Sequence, residues 1–427
     1  MKKQYRQMDK TTNKIPQKCC VRPLKEVNAE IKLPSSKSIS NRALIINALA
    51  GSKEHPENVS DCDDTFVMIR ALREMGDVID IMAAGTSMRF LTAFLSITDG
   101  VRTITGTERM KNRPISILVD ALRSMGANIE YAEKEGFPPL RITGNRNLKS
   151  QCTIAGDVSS QYISAILMIG PALANGLELT ITGNINSRPY IDLTLKIMRD
   201  FGAVAEWSSS NTIKVEPVAY KPTRYFVESD WSAASYWYEI LALADGGKVK
   251  LPLLFKDSYQ GDCKVADIFR KLGIETTYGD KEVTLTKSGS VASHLEYDFA
   301  QQPDLVQTFA VTCCMMNVTF HFKGTQSLKI KETDRIEALK AELKKMGFVL
   351  HDCNNGAELS WDGERCEADE TAEISTYEDH RMAMAFAPAT IKGVKMQIMK
   401  PMVVTKSYPS YWNDLEKAGF GIENDYN

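Results

Sequence analysis

A pattern of apolar and polar positions recurs six times along the chain. In each copy, a stretch with helix-like spacing ends in two charged or polar residues, a large apolar residue (once alanine) and then glycine. Glycine adopts the left-handed conformation that commonly follows a helix at little cost. Alternating residues typical of a strand usually come next. The glycines are Gly76, Gly126, Gly202, Gly273, Gly347 and Gly419.

This repeat predicts a duplicated unit of helix and strand. After the first gap, the glycines lie about 70–76 residues apart. That period is too long for a standard solenoid, and 427 residues are too many for one ordinary core. Three copies fall before residue 230 and three after it. The pattern therefore predicts an α/β protein of two lobes, each with three repeated units.

One polar segment, residues 35–42, leads directly into the apolar run 43–50. Such a junction predicts the start of a helix, where free backbone N–H groups and the positive end of the helix dipole favour anions. Lys37, Ser38 and Arg42 add two positive charges and a hydroxyl there. We interpret the segment as a seat for a phosphate or a carboxylate.

Several other polar segments also precede apolar runs. They begin at Gly85, Arg109, Ser159 and Ser187. Each by itself also fits an ordinary helix cap or a solvated loop. The basic residues near predicted helix starts are divided evenly between the two halves of the chain: Lys37, Arg42, Arg89, Arg109, Lys331, Arg335, Arg381 and Lys406. This division predicts small polyanions bound in a cleft between the lobes.

The second half holds the densest group of charges, at residues 329–335. We place Lys331 and Arg335 on one face of a helix, where like charges four residues apart repel by about 0.2–0.5 kcal/mol. A bound anion between them would reverse that repulsion, although Glu332 and Asp334 could neutralise the face instead. Asp304 opens a predicted helix and fits a helix cap on the plainer interpretation.

Composition and motifs exclude several classes of function. A net charge of −2 leaves no overall basic field for nucleic acid or an anionic membrane. The chain has no P-loop and no dinucleotide fingerprint, and its five histidines lack the spacing of metal ligands. Asp379-His380 suggests a hydrolase triad, but no Gly-x-Ser-x-Gly elbow accompanies it. Nucleotide, metal and serine-hydrolase chemistry are therefore disfavoured.

The cysteines and the N-terminal segment bear on location. Nine cysteines without a Cys-x-x-Cys motif indicate free thiols in a reducing cytoplasm. No apolar run reaches the length of a membrane span, and the first residues lack the apolar core of a secretory signal. We expect residues 1–20 to form a flexible leader.

Six motifs in order resemble the 5-enolpyruvylshikimate-3-phosphate synthase family of enolpyruvyl transferases. They are residues 33–42, 85–89, 109–111, 158–161, 331–335 and 379–384. The resemblance implies a two-domain inside-out α/β barrel in which each domain has three βαβαββ units. It also implies an N-terminal lobe of residues 35–228 and a second lobe of residues 1–34 plus 229–427.

The resemblance also implies a reaction and its residues. The enolpyruvyl group of phosphoenolpyruvate passes to the 5-hydroxyl of shikimate 3-phosphate and phosphate leaves, as part of aromatic amino-acid biosynthesis, without metal or other cofactor, in a cytoplasmic monomer. Asp304 would accept the hydroxyl proton, Glu332 would protonate the methylene carbon and Lys37 would assist. Shikimate 3-phosphate would contact Lys37, Ser38, Arg42, Ser159, Ser160, Gln161, Ser187, Asp304, Ser327 and Lys331. Phosphoenolpyruvate would contact Lys37, Gly85, Arg109, Gln161, Arg335, Arg381 and Lys406.

The chain departs from the family pattern at four positions. The family usually has Gly, Asn, Pro and Asn where this chain has Ser35, Ala83, Phe90 and Ser327. These changes bear on the shape of the phosphoenolpyruvate pocket. Gly85 is retained, which predicts inhibition by glyphosate, the competitive inhibitor of the family.

Two alternatives stay open. The first is a transferase of enolpyruvyl to a UDP-amino sugar, which shares the fold but typically carries Lys-Asn where this chain has Lys37-Ser38. The second is an anion-binding protein without activity, against which the intact Asp304 and Glu332 argue.

Overall fold

The computed structural model of this protein describes residues 15–157 and 159–426. Its helices are α1 (Lys37–Leu49), α2 (Asp63–Glu74), α3 (Gly85–Ser96), α4 (Glu108–Lys111), α5 (Ser116–Ser124), α6 (Ser160–Ile169), α7 (Arg188–Asp200), α8 (Trp231–Leu243), α9 (Val265–Arg270), α10 (Val306–Met316), α11 (Arg335–Lys345), α12 (His380–Phe386) and α13 (Tyr411–Ala418).

The strands of the first half are β1 (Lys18–Arg22), β2 (Glu26–Glu30), β3 (Val78–Asp80), β4 (Val101–Thr105), β5 (Asn128–Tyr131), β6 (Leu140–Thr143), β7 (Gln151–Ala155), β8 (Leu177–Thr182), β9 (Ala205–Trp207) and β10 (Thr212–Val215). Those of the second half are β11 (Gly246–Pro252), β12 (Ile274–Tyr278), β13 (Glu282–Lys287), β14 (His294–Asp298), β15 (Thr319–Lys323), β16 (His351–Cys353), β17 (Glu358–Trp361), β18 (Ala372–Ile374), β19 (Met396–Met399) and β20 (Gly421–Asp425).

These strands form four-stranded sheets that all share one plan. In each sheet, the first two strands are parallel and the other two neighbouring pairs are antiparallel. The orders are β3-β4-β6-β5, β7-β8-β10-β9, β2-β11-β13-β12, β14-β15-β17-β16 and β18-β19-β1-β20. This plan is the one that a βαβαββ unit produces, so the predicted α/β repeat is confirmed.

The helix ends agree with the repeat read from the sequence. Gly419 directly follows α13, and four of the glycines lie one residue beyond the caps of α2, α5, α7 and α11. Gly273 lies two residues beyond the cap of α9. A strand comes next in each copy. At the first copy, however, the left-handed residue is Met75 (φ 44°) and Gly76 is not left-handed. The unit around α1 and α2 also has a reduced sheet, represented in the described residues by the isolated bridges Ser35–Ser229 and Glu57–Phe226.

The prediction of a flexible leader over residues 1–20 is wrong at its C-terminal end. Lys18–Arg22 is a strand that pairs with both β19 and β20. Cys19 and Val21 alternate into the core, and this burial stabilises the strand. Residues 1–14 lie outside the described residues.

Two separate apolar cores hold the molecule together. One core consists of buried apolar residues from the stretch Ile39 to Val227. We call this part of the chain the first lobe. The other combines Cys19–Leu33 with residues from Trp231 to Phe420, and we call its surroundings the second lobe. Among the described helices, none is long and apolar enough to cross a membrane.

Candidate active site

A cleft that is partly open to solvent lies between the two lobes. Its walls carry most of the residues that the sequence singled out, from both halves of the chain. They are Lys37, Ser38, Arg42, Gly85, Ser159, Ser160, Gln161, Ser187, Asp304, Ser327, Lys331, Glu332, Arg335 and Arg381. Arg109 and Lys406 are the two predicted contacts that do not line it.

The start of α1 forms part of the first-lobe wall. Ser36 caps the helix and accepts a hydrogen bond from the Ile39 amide, so that Lys37 projects at the first turn. Lys37 Nζ lies 3.2 Å from Asp64 Oδ2. Burial opposes its charge, but the nearby Asp64 carboxylate prevails and raises the pKa of Lys37. The ammonium group therefore stays charged in the cleft.

Arg42 is held almost entirely by the protein. Its guanidinium donates to Thr194 Oγ1 (2.7 Å), to Ser164 Oγ (3.1 Å) and to the backbone oxygens of Ser38 and Tyr190. Burial lowers the pKa of Arg42 to about 10, which leaves it protonated at neutral pH. The side chain joins α1, α6 and α7, and thereby fixes the shape of this wall.

Two arginines converge on the start of α3. A Cβ added at Gly85 would lie 2.5 Å from Arg89 Nη1 and 2.6 Å from Arg113 Nη1. Burial, together with the charge of Arg89, lowers the pKa of Arg113 to about 10. The Nε atoms of both arginines are buried without a hydrogen-bond partner in the described part of the chain. Two close guanidiniums beside a helix N-terminus make a site suited to an anion.

Arg113 is a cleft residue that the sequence reasoning missed, although it belongs to the same basic segment as Arg109. The chain turns after the single turn of α4, and Arg113 faces the cleft while Arg109 points toward the second lobe. Arg109 Nη1 lies 2.6 Å from Glu378 Oε2, and Lys406 Nζ donates to the Glu378 backbone oxygen at 3.4 Å. Arg109 and Lys406, which the sequence analysis placed against phosphoenolpyruvate, thus both contact Glu378 and do not line the cleft.

Asp304 is the centre of the second-lobe wall. Arg335 Nη1 donates to its Oδ1 at 3.0 Å and Arg381 Nη2 to its Oδ2 at 2.8 Å. Burial would raise the pKa of Asp304, but the charges of Arg381, Lys331 and Arg335 outweigh burial and hold the pKa well below its usual value. The carboxylate is therefore ionised, and both of its oxygens accept hydrogen bonds from arginines.

The structure corrects two interpretations of the charged segments. Lys331 and Arg335 do not share a helix face, because residues 326–330 form a 3-10 helix and α11 begins only at Arg335. Both side chains instead approach Asp304 Oδ1, at 3.8 and 3.0 Å. Nor does Asp304 cap α10, which begins at Val306 after a short 3-10 turn. The anion that lies between Lys331 and Arg335 is therefore the carboxylate of Asp304.

Glu332 lies beside Asp304 and pairs with Arg335 Nη2 at 2.7 Å. Burial would raise its pKa, but the charges of Arg335 and Arg113, among others, hold the pKa of Glu332 well below its usual value. In the empty cleft this carboxyl is a carboxylate. Its protonation therefore depends on what binds beside it.

The Asp379-His380 pair does not form a hydrolase triad. Asp379 caps α12 through the Arg381 amide (2.9 Å) and binds Arg335 Nε at 2.7 Å. His380 Nδ1 lies 3.8 Å from Asp379 Oδ1, beyond a hydrogen bond. Burial, with Lys37 and Arg381, holds the pKa of His380 well below its usual value. Asp379 orients an arginine, and His380 is neutral.

The remaining wall is rich in hydroxyl groups. Ser159 caps α6, and the Gln161 side chain donates to Thr86 Oγ1 at 3.2 Å. Ser187 has a left-handed backbone (φ 56°), and its amide donates to the Ala300 oxygen of the second lobe at 2.9 Å. Further cleft residues that the sequence reasoning missed are Asp64, Tyr190, Asp230, Ser232 and Tyr236. They carry no motif, and only the fold brings them together.

Fold and site together define a class of protein: a two-lobed α/β enzyme of repeated βαβαββ units whose cleft collects cations from both lobes around two partly buried carboxyl groups. The family model described as EPSP synthase (3-phosphoshikimate 1-carboxyvinyltransferase) matches residues 21–81 and 76–415. The chain belongs to this family.

Curated relatives agree with this membership, and a solved structure shows the same fold. A 3-phosphoshikimate 1-carboxyvinyltransferase of Bacteroides fragilis is 60% identical over 398 residues, covering 93% of this chain and 97% of that protein. One from Erwinia tasmaniensis is 35% identical over 425 residues, covering 93% and 97%. The structure of EPSP synthase from Acinetobacter baumannii has a TM-score of 0.76 at 22% identity and covers 96% of this chain and 100% of that one. The predicted two-domain inside-out α/β fold is confirmed.

Proposed function

We propose that this chain transfers the enolpyruvyl group of phosphoenolpyruvate to the 5-hydroxyl of shikimate 3-phosphate and releases phosphate. The observation that carries the proposal is the environment of Asp304, an ionised, partly buried carboxylate surrounded by Lys331, Arg335 and Arg381 in the cleft. Family membership and the high identity to curated transferases support the same reaction.

The two substrates divide the cleft between them in this proposal. Phosphoenolpyruvate binds where Arg113 and Gly85 of the first lobe face Arg335 and Arg381 of the second, with Lys37 and Gln161 beside it. Arg113 takes the place that the sequence assigned to Arg109. Shikimate 3-phosphate binds along the hydroxyl-rich wall formed by Ser38, Arg42, Ser159, Ser160, Ser187, Ser327 and Lys331. Lobe closure brings the two anions together because cations from both sides screen their repulsion.

Proton transfer is assigned to the two carboxyl groups. Asp304 takes the proton of the 5-hydroxyl as its oxygen bonds to C2 of phosphoenolpyruvate, and Glu332 gives a proton to the methylene carbon, which becomes a methyl group. Phosphate then leaves and the methyl group returns a proton, so the carbon–carbon double bond forms again. Because the pKa of Glu332 is low in the empty cleft, bound phosphoenolpyruvate must neutralise nearby cations before Glu332 can be protonated.

The lobes are proposed to divide at residues 34/35 and 228/229. At these two boundaries the chain segments run side by side. The Ser36 amide lies 2.8 Å from the Glu228 backbone oxygen, and the Asp230 amide lies 2.9 Å from the Pro34 backbone oxygen. Paired crossing segments of this kind can bend without breaking either core. A cytoplasmic monomer completes the proposal.

The test is the choice of acceptor. Purified protein is incubated with phosphoenolpyruvate and either shikimate 3-phosphate or a UDP-amino sugar, and mass spectrometry follows the enolpyruvyl ether while a colorimetric assay follows phosphate. We expect both products only with shikimate 3-phosphate. Transfer to the UDP-amino sugar, or no transfer to either acceptor, would overturn the proposal.

A further inference from the structure

Asp262 is a buried carboxylate that joins the two lobes behind the cleft. Its side chain is 2% exposed, and it lies in a 3-10 helix, Gly261–Lys264, of the second lobe. The Tyr190 hydroxyl, from α7 of the first lobe, donates to its Oδ1 at 3.2 Å. The Ser232 hydroxyl, from α8 of the second lobe, donates to its Oδ2. One carboxylate thus receives one hydroxyl from each side of the cleft.

Both donors line the cleft, whereas Asp262 lies behind them. Tyr190 is also held at its other end, where its backbone oxygen accepts from Arg42 at 3.3 Å and from Thr194 at 2.8 Å. Its hydroxyl therefore has a fixed place only while Asp262 accepts it. Burial, with the charge of Asp304, raises the pKa of Asp262 to about 7, so part of the protein carries a charged acceptor here at neutral pH. Hydrogen bonds to that charged form are about twice as strong as those between neutral groups.

The two residues before Asp262 strengthen the same junction. The Gln260 side chain donates to Glu228 Oε1 (2.9 Å) and to the Ser229 backbone oxygen (2.8 Å). It therefore binds the segment that crosses between the lobes. Gly261 touches α7 directly, since a Cβ there would lie 2.5 Å from Pro189 Cβ. The three consecutive residues therefore contact the crossing segment and the first lobe.

We propose that Asp262 is a positioning residue for the transfer reaction, which acts by holding the Tyr190 and Ser232 hydroxyls, one from each lobe, against the bound shikimate 3-phosphate. The inference rests on the proposed function. Tyr190 lies three residues after Ser187, in the hydroxyl-rich part of the cleft assigned to shikimate 3-phosphate, so the KM for that substrate is the constant that should respond. Asp262 itself touches neither substrate.

The test is Asp262→Asn, which keeps the size and removes the charge. We expect the KM for shikimate 3-phosphate to rise about tenfold or more, the effect of losing a hydrogen bond to a charged group, while the KM for phosphoenolpyruvate stays within about twofold. The control is Asp267→Asn, an exposed aspartate of α9 paired with Lys264 and Arg270, which should behave as wild type. A wild-type KM for shikimate 3-phosphate in Asp262→Asn, or an equal rise in both KM values, would overturn the inference.

A double-mutant cycle separates positioning from simple structural damage. If Asp262 acts through Tyr190, the double variant Asp262→Asn/Tyr190→Phe raises the KM for shikimate 3-phosphate by clearly less than the product of the two single-variant fold-changes. Full multiplication of the effects would contradict the inference. Should Asp262→Asn fail to fold by circular dichroism, Tyr190→Phe and Ser232→Ala make the same test, and wild-type KM values in both would overturn it. If wild-type protein releases no phosphate, the proposed function fails instead.

Discussion

Glu239 is a carboxyl group buried in the apolar core of the second lobe. It lies on α8 with no exposed surface, and neither of its oxygens has a hydrogen-bond partner in the described residues. Burial raises the pKa of Glu239 well above its usual value. The folded protein therefore keeps this proton at pH values where the unfolded chain releases it, and stability falls as pH rises above the usual range of a glutamate.

Replacing Glu239 by glutamine removes this dependence. We expect Glu239→Gln to unfold at the same free energy as wild type near pH 4 and to be more stable by about 1–3 kcal/mol at pH 8, the range for one unpaired buried polar group. Urea unfolding at both pH values measures it. The control Glu416→Gln changes an exposed glutamate of α13 and should show no pH-dependent difference. Equal stability of Glu239→Gln and wild type at pH 8 would contradict the account.

At the residue scale, the sequence motifs led to most of the cleft. The family resemblance implied Lys37, Asp304 and Glu332 as site residues, and all three lie on its walls. The motif could not show whether Arg109 or Arg113 lines the cleft, because that depends on how the chain turns after α4. Asp262 carried no signal at all, since its partners are 72 and 30 residues away.

At the scale of elements, glycine marks helix ends well because the left-handed conformation has a physical preference for it. The first repeat shows the limit, since Met75 takes that conformation one residue before Gly76. Strand β1 was missed because its pairing partners, β19 and β20, lie at the other end of the chain. Local polarity cannot reveal a strand that is stabilised by such distant pairing.

The start of α3 yields a prediction about Gly85. A methyl group there would lie about where Arg89 and Arg113 place their Nη1 atoms, so both guanidiniums must move. We expect Gly85→Ala to raise the KM for phosphoenolpyruvate about tenfold and to weaken inhibition by glyphosate, the result of losing one charge-assisted contact. Steady-state kinetics measure both effects.

The control for this variant is Gly246→Ala, since a Cβ at Gly246 meets no atom within 4 Å. It should leave both the KM and the inhibition unchanged. An unchanged KM for phosphoenolpyruvate in Gly85→Ala would show that the anion does not bind at this helix start.

At the scale of the whole molecule, a few exposed contacts join the lobes on the open side of the cleft. Arg109 of the first lobe pairs with Glu378 of the second at 2.6 Å. Such an exposed ion pair contributes about 0–1 kcal/mol to the contact between the lobes. Arg109→Gln should therefore raise the KM of both substrates at most about fivefold and leave kcat nearly unchanged. Arg146→Gln breaks a similar pair with Asp99 within the first lobe and should have no effect. A hundredfold loss of kcat in Arg109→Gln would instead place Arg109 at the reacting atoms.

The central claim is that the two partly buried carboxyl groups of this cleft, Asp304 and Glu332, carry enolpyruvyl transfer. The most direct measurement is phosphate release in a single turnover, with enolpyruvyl ether followed in parallel, for wild type, Glu332→Gln and the exposed control Glu337→Gln. We predict one phosphate per ether in wild type, a loss of about 100-fold or more in Glu332→Gln, as expected for a general acid, and a wild-type rate in Glu337→Gln. Release without transfer, or a wild-type rate in Glu332→Gln, would contradict the account.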